Sequence, residues 1–189
     1  MSSQKCLKFV QSVMESFQAN SGLEPRLLSG LRVTAARPGI VNFELPIEKH
    51  HTNRLNILHG GTIASMVDLG GSLAVASRGL FATGVSTDLN VTYLNSGGKV
   101  GDLIRAVCKF LFYLDPHTSL AKEPILTFLK LLTFTITVGK TLAYTSINFH
   151  NEKQELVARG SHTKYVTLAW KDPNNIVEEL SPKPEKKSE

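Results

Sequence analysis

Apolar positions recur along this chain with two periods, and the changes between them mark out the elements. In MSSQKCLKFVQSVMESFQAN, Phe9, Val10, Val13 and Phe17 fall on one stripe at helical spacing, which predicts an amphipathic helix ended by Ser21-Gly22. Leu31–Ala36 and then Val41, Phe43, Leu45 and Ile47 alternate with polar or small residues around Arg37-Pro38-Gly39, the pattern of a hairpin. The helical period returns after His59-Gly60-Gly61 and lasts to Arg78-Gly79, with Ile63, Met66, Val67, Gly70, Leu73 and Ala74 on the face expected to bury against a sheet. Val85–Leu94 is the clearest strand. Strict alternation puts Val85, Thr87, Leu89, Val91 and Tyr93 on one face and Ser86, Asp88, Asn90 and Thr92 on the other. Glycine turns at 97–102 lead into Leu103–Cys108, and Thr141–His150 joins Leu156–Val166 through Asn151-Glu152-Lys153. Helix, two strands, long helix and four strands with short turns predict an α+β fold, an antiparallel sheet around one central helix.

Two segments depart from this scheme. Residues 109–137 replace a hairpin turn of roughly 2–5 residues with a Leu- and Phe-rich run that keeps neither period. It reads as an extra helix over the sheet edge, as a ligand-gating flap, or as non-coding sequence translated through an imperfect gene model. The last is preferred, because so much apolar surface invites aggregation unless covered. Residues 169–189 are charged and proline-containing and read as a mobile tail. The expected organisation is a helix and linker over 1–29, one domain over 30–168 with the insertion, and the tail.

Composition narrows the class. At 189 residues, 42% hydrophobic and 20% charged, the chain suits one globular domain. Its formal net charge of +5 suits an anionic small molecule and equally suits solubility. Cys6 and Cys108 lack metal or redox spacing, so neither a metal nor a separate cofactor is expected, and a reducing compartment is the default. No run is apolar enough to span a bilayer. Glu15 and the lack of an early arginine argue against a mitochondrial leader, so a cytoplasmic location is expected with mitochondria kept open. No basic run interleaved with aromatics supports nucleic-acid binding.

The chemistry concentrates in residues 51–79. Gly60 and Gly61 let the backbone approach a ligand, and the first turn of the following helix presents unpaired N–H groups suited to a developing oxyanion or a phosphate. Gly61, Ala64, Ser65, Asp68, Gly71 and Ser72 form a small-residue face with one carboxylate. A solvated aspartate explains Asp68 as well as a functional one does from periodicity alone. Asp68 lies eight residues beyond Gly60, about 12 Å along a helix axis, much more than the reach of a general base. If both serve one reaction they come from different subunits, which predicts a dimer with two such helices side by side.

The strings HTNRLNILHGGTIASMVDLGG, GVSTDLNVTYL, GDLIRA, GKTLAYTSINF and ARGSHTK closely resemble the hotdog-fold acyl-coenzyme A thioesterases over residues 30–166 apart from the insertion. The resemblance implies the sheet-and-helix fold, a homodimer with pairing of dimers into tetramers, and hydrolysis of an acyl-coenzyme A to a free acid and coenzyme A, which enters as part of the substrate. It implies that Asp68 acts across the interface as general base or nucleophile, that the Gly60 amide polarises the thioester carbonyl, that Asn53 and His59 form the polar pair beside it, and that Ser86 holds the attacking water. Gly61, Asp88, Tyr93, Lys140 and Lys164 are candidate substrate contacts. Plainer roles compete: an Asx turn for Asn53, a loop cap for His59, an ordinary strand serine for Ser86, solvated side chains for the lysines. Expected substrates are medium- to long-chain or aromatic acyl-coenzyme A. A hotdog protein that binds acyl groups without turning them over is the alternative.

Overall fold

A computed structural model describes residues 2–114 and 141–181. In chain order the elements are α1 (Ser2–Asn20), α2 (Glu24–Leu27), β1 (Arg32–Arg37), β2 (Ile40–Pro46), α3 (Gly60–Ala76), β3 (Val85–Tyr93), β4 (Leu103–Leu114), β5 (Leu142–His150), β6 (Leu156–Tyr165) and α4 (Val177–Leu180). Among the described residues the strands form a six-stranded sheet in the order β1-β2-β4-β5-β6-β3, every pairing antiparallel.

The sheet curls around α3, which packs on β2, β3, β4, β5 and β6. Twelve of its seventeen residues are buried, so it is a core helix rather than a surface one. Its glycines set how close the sheet comes: a Cβ on Gly70 would lie 2.9 Å from the Phe43 ring, and one on Gly71 would lie 2.3 Å from His162 Nδ1. Both of these glycines leave room for a side chain of the facing sheet. α1 closes the same core with Cys6, Val10, Val13 and Met14. Residues 1–29 are therefore not a separate helix and linker where described: α1 and α2 are packed parts of one domain.

Three further sequence expectations are corrected. The first six residues of the expected insertion continue β4, which pairs with β5 as far as Leu114↔Leu142 across a bulge between Phe110 and Phe112. Backbone pairing along this extension outweighs the blurred alternation of KFLFYL, since a paired strand satisfies its main-chain groups whatever its side-chain order. The rest of the insertion and Lys140 lie outside the described residues.

The expected tail is packed as far as residue 181. Ile176 N donates to Gly79 O, Asn175 Oδ1 accepts from Phe81 N, and Leu180 is buried against the core. The segment runs over the C-terminal end of α3, where Gly79 has φ +93° and a Cβ would collide with Val177 at 2.6 Å. Residues 182–189 lie outside the described set.

Strict alternation fails in β3. A bulge between Ser86 and Asp88 sets Ser86 opposite Lys164 but Asp88 opposite Thr163. Ser86 therefore shares the α3-facing side with Leu89, Val91 and Tyr93, whereas Asp88, Asn90 and Thr92 face away.

Candidate active site

At the start of α3 the loop is built mainly from its own hydrogen bonds. Asn53 N donates to Ile57 O at 2.9 Å, and Leu55 N donates to Asn53 Oδ1 at 2.8 Å, so Asn53 forms the Asx turn that shapes this loop. Asn56 follows in the left-handed region at φ 57°, a conformation asparagine tolerates.

Fully buried His51 lies beneath. Its Nδ1 accepts from Glu48 N at 2.9 Å and its Nε2 lies 2.7 Å from Leu27 O, so Nε2 carries the proton and the ring is neutral. Burial pushes its pKa down, partly offset by the Leu27 carbonyl. The His51 carbonyl accepts from His59 N at 2.8 Å and from Thr62 Oγ1 at 3.0 Å, fixing where α3 begins.

His59 is the N-cap. Its Nδ1 accepts from Gly61 N at 2.8 Å, which leaves Nε2 to donate outward. The Gly61 amide is thus already used. The Gly60 N–H meets no acceptor among the described residues, and the Gly60 carbonyl takes the Tyr93 hydroxyl at 2.8 Å. One free amide and one outward imidazole therefore mark this end, with the exposed Tyr93 packed so closely on Gly60 that a Cβ there would meet its ring at 3.2 Å.

Two turns further along, a second group assembles from α3, β3 and β6. Ser86 Oγ donates to Asp68 Oδ1 at 2.9 Å. His162 Nε2 lies 2.9 Å from Ser86 Oγ and 3.2 Å from Asp68 Oδ1. Both partners converge on Oδ1, and no hydrogen bond reaches Oδ2 among the described residues. The carboxylate is fixed at one oxygen and open at the other, and it is about half exposed.

His162 itself is wholly buried. Burial, reinforced by the Lys164 ammonium, holds its pKa well below the ordinary histidine range, with Asp68 and Asp88 opposing. Lys164, opposite Ser86, is also buried, and its pKa is lowered by desolvation with Asp68 pulling the other way. A cavity of about 260 Å³ adjoins the group, lined by Asp68, Ser86 and Lys164 together with Phe17, Leu69 and Val85.

The structure thus brings Asp68, Ser86 and Lys164 together, and separately His59, Gly60, Gly61 and Tyr93, with Asn53 in the loop behind them. No described contact joins the two sets within one chain, and Asp88 faces away from both. His162 was not singled out from the sequence, although a signal was there. Ala158, Gly160, His162 and Lys164 share one face of β6 by alternation, and two polar residues continuing a small, core-facing row need partners.

Comparison with known proteins decides the family. The description "Thioesterase superfamily" matches residues 55–112. A Schizosaccharomyces pombe protein named as an esterase is 39% identical over 176 residues, 92% of each chain. Human acyl-coenzyme A thioesterase 13 is 33% identical over 142 residues, 75% of this chain and 83% of its own. The chain belongs to the thioesterase superfamily. It has the hotdog fold of that family and is a thioester hydrolase. The crystal structure of zebra fish thioesterase superfamily member 2 superposes with a TM-score of 0.63 at 31% identity, over 83% of this chain and 97% of the other. Among the described residues no helix is long and apolar enough to cross a membrane.

Proposed function

We propose that this thioesterase hydrolyses acyl-coenzyme A, with Gly60, His59 and Asn53 of one subunit facing Asp68, Ser86 and His162 of a second. The observation that carries the reading is the half-tethered carboxylate: Oδ1 accepts from Ser86 with His162 Nε2 3.2 Å away, and Oδ2, which no hydrogen bond reaches among the described residues, can take a proton. In the reaction Asp68 Oδ2 accepts a proton from water while the water oxygen bonds to the thioester carbon. Charge gathers on the carbonyl oxygen, where the Gly60 N–H and the His59 Nε2–H stabilise it. The C–S bond then breaks, the coenzyme A thiolate takes up a proton, and the free acid leaves.

Two observations support a shared site. Gly60 and Asp68 lie about 12 Å apart along one helix, beyond the reach of a single reacting group. Among the described residues β3 is an edge strand with no neighbour beyond it, and its exposed Val85, Leu89 and Tyr93 suit pairing with a second copy. The similarity to acyl-coenzyme A thioesterase 13 supports the substrate class. The 260 Å³ cavity beside Asp68 sets Phe17, Leu69 and Val85 beside the polar Glu24, Ser72, Thr83 and Lys164, and its place next to the carboxylate suits the reacting thioester.

Release of free thiol from a panel of acyl-coenzyme A esters tests this reading, with wild type compared against Asp68→Ala. Equal rates exclude Asp68 as the base, and no turnover of any ester favours a binding protein. Mixing Asp68→Ala with Asn53→Ala should restore about a quarter of wild-type activity, because half the exchanged dimers are mixed and each holds one intact site. Failure to complement after demonstrated subunit exchange means each site is built from one chain.

A further inference from the structure

Ser86, His162 and Asp68 are the three residue types of a serine-hydrolase relay, and their arrangement decides whether they work as one. In such a relay the carboxylate holds His Nδ1 and leaves the Nε2 lone pair for the serine proton. Here the carboxylate and the serine both lie at Nε2, 3.2 Å and 2.9 Å away. Nδ1 points instead into the fold, buried and without a hydrogen-bond partner among the described residues. It lies against Gly71 of α3, so close that a Cβ there would stand 2.3 Å from it and 2.9 Å from Thr145 Oγ1.

Proton placement follows from satisfaction of these atoms. A proton on Nδ1 would bury an N–H donor with no acceptor, whereas a bare Nδ1 buries only a lone pair and leaves Nε2–H to donate to Ser86 Oγ at 2.9 Å, with Asp68 Oδ1 3.2 Å away. Thr145 Oγ1 is not that acceptor, because no hydrogen bond joins it to Nδ1 among the described residues; its own proton goes to His162 O at 3.0 Å. With Nε2 protonated, the ring has no lone pair to offer Ser86, and the Ser86 hydroxyl is committed to Asp68.

We propose that His162 is a positioning residue, held by Gly71 as the neutral Nε2–H tautomer, which aims the Asp68 carboxylate at water and keeps Ser86 from acting as a nucleophile. The inference rests on Asp68 being the base. It adds the residue that orients Asp68, and it makes Gly71 part of the site through the space it leaves. The charged groups around the ring are Asp68 from α3, Asp88 from β3 and Lys164 from β6. Lys164 and burial keep the ring neutral against the two carboxylates.

Histidine ¹⁵N spectroscopy of the wild-type protein reads the tautomer directly, with the His162 signal assigned from His162→Gln. The expected result is a neutral ring protonated at Nε2 throughout pH 6–8. A proton on Nδ1, or an imidazolium in that range, overturns the proposal whatever the enzyme's activity. Kinetics supply the second arm. His162→Ala should lower kcat about 10²-fold with KM nearly unchanged, and His162→Gln, whose amide nitrogen reproduces the Nε2 donor, should recover most of the loss. Gly71→Ala should displace the ring and lower kcat like His162→Ala. Wild-type kcat in a folded Gly71→Ala protein whose His162 signal is unchanged removes the lock. An active Asp68→Asn enzyme would instead sink the functional reading, while the tautomer measurement still stands.

Discussion

The two ends of the chemistry are built in different ways. Around His59 and Gly60, the Asx turn of Asn53, the His59 cap and the left-handed Asn56 are made by residues within a few positions of one another. Around Asp68 each contact is long-range: Ser86 comes from a bulged edge strand and His162 from the strand beside it. The local end is set by backbone geometry and its donors are ready wherever the helix begins. The remote end depends on sheet register, and a one-residue slip would turn Ser86 away from Asp68. On the proposed mechanism the oxyanion donors come from local structure and the base from tertiary packing.

The sharpest break in that comparison is Asp68→Asn. The amide keeps the size of the carboxylate and can still accept from Ser86, but it removes the proposed base. Steady-state thiol release should fall in kcat by about 10²–10⁴-fold with little change in the melting temperature. An equal loss of stability and activity would mean that Asp68 serves the fold.

Acid tests both regions at once, because each rests on a buried neutral histidine, His51 beneath the loop and His162 beneath the carboxylate. Both have pKa values below the ordinary value of 6.5. Below that value the unfolded chain binds the proton and the folded chain resists it, so stability is full above about pH 6.5 and falls as the pH drops toward the folded pKa. Each histidine contributes a slope of up to about 1.4 kcal/mol per pH unit. Urea titrations between pH 7 and 5 should show this loss, and His51→Gln and His162→Gln should each remove one part of it. A flat profile in wild type would contradict the neutral assignment of both rings.

The smallest effect on stability is expected at the local end. His59→Ala removes the cap of α3 and should cost about 1 kcal/mol, read as a modest drop in melting temperature, while the His162 ¹⁵N signal stays in place. A shift of that signal would show that the two regions are coupled within one chain, contrary to their separate construction.

What could be read in advance follows the same division. The helix over residues 60–76, the hairpin at Arg37-Pro38-Gly39 and the loop chemistry of Asn53 and His59 were legible because period, turn residues and capping are short-range properties. The bulge in β3 was not, because VSTDLNVTY alternates perfectly and only pairing with β6 reveals the extra residue. The packed segment 169–181 read as a tail, since Asn175, Ile176 and Leu180 find their partners about 95 positions earlier at 79–81 or within the core.

By itself the sequence determined the class of fold and the family, because helical and strand periods, glycine turns and a dense motif all lie along the chain. Only the tertiary structure decided how the carboxylate is held: which oxygen is tethered, which nitrogen of His162 faces it, and that a glycine of α3 makes room for the ring. Those facts depend on sheet register and on close contact between side chains far apart in sequence, and no local pattern encodes either.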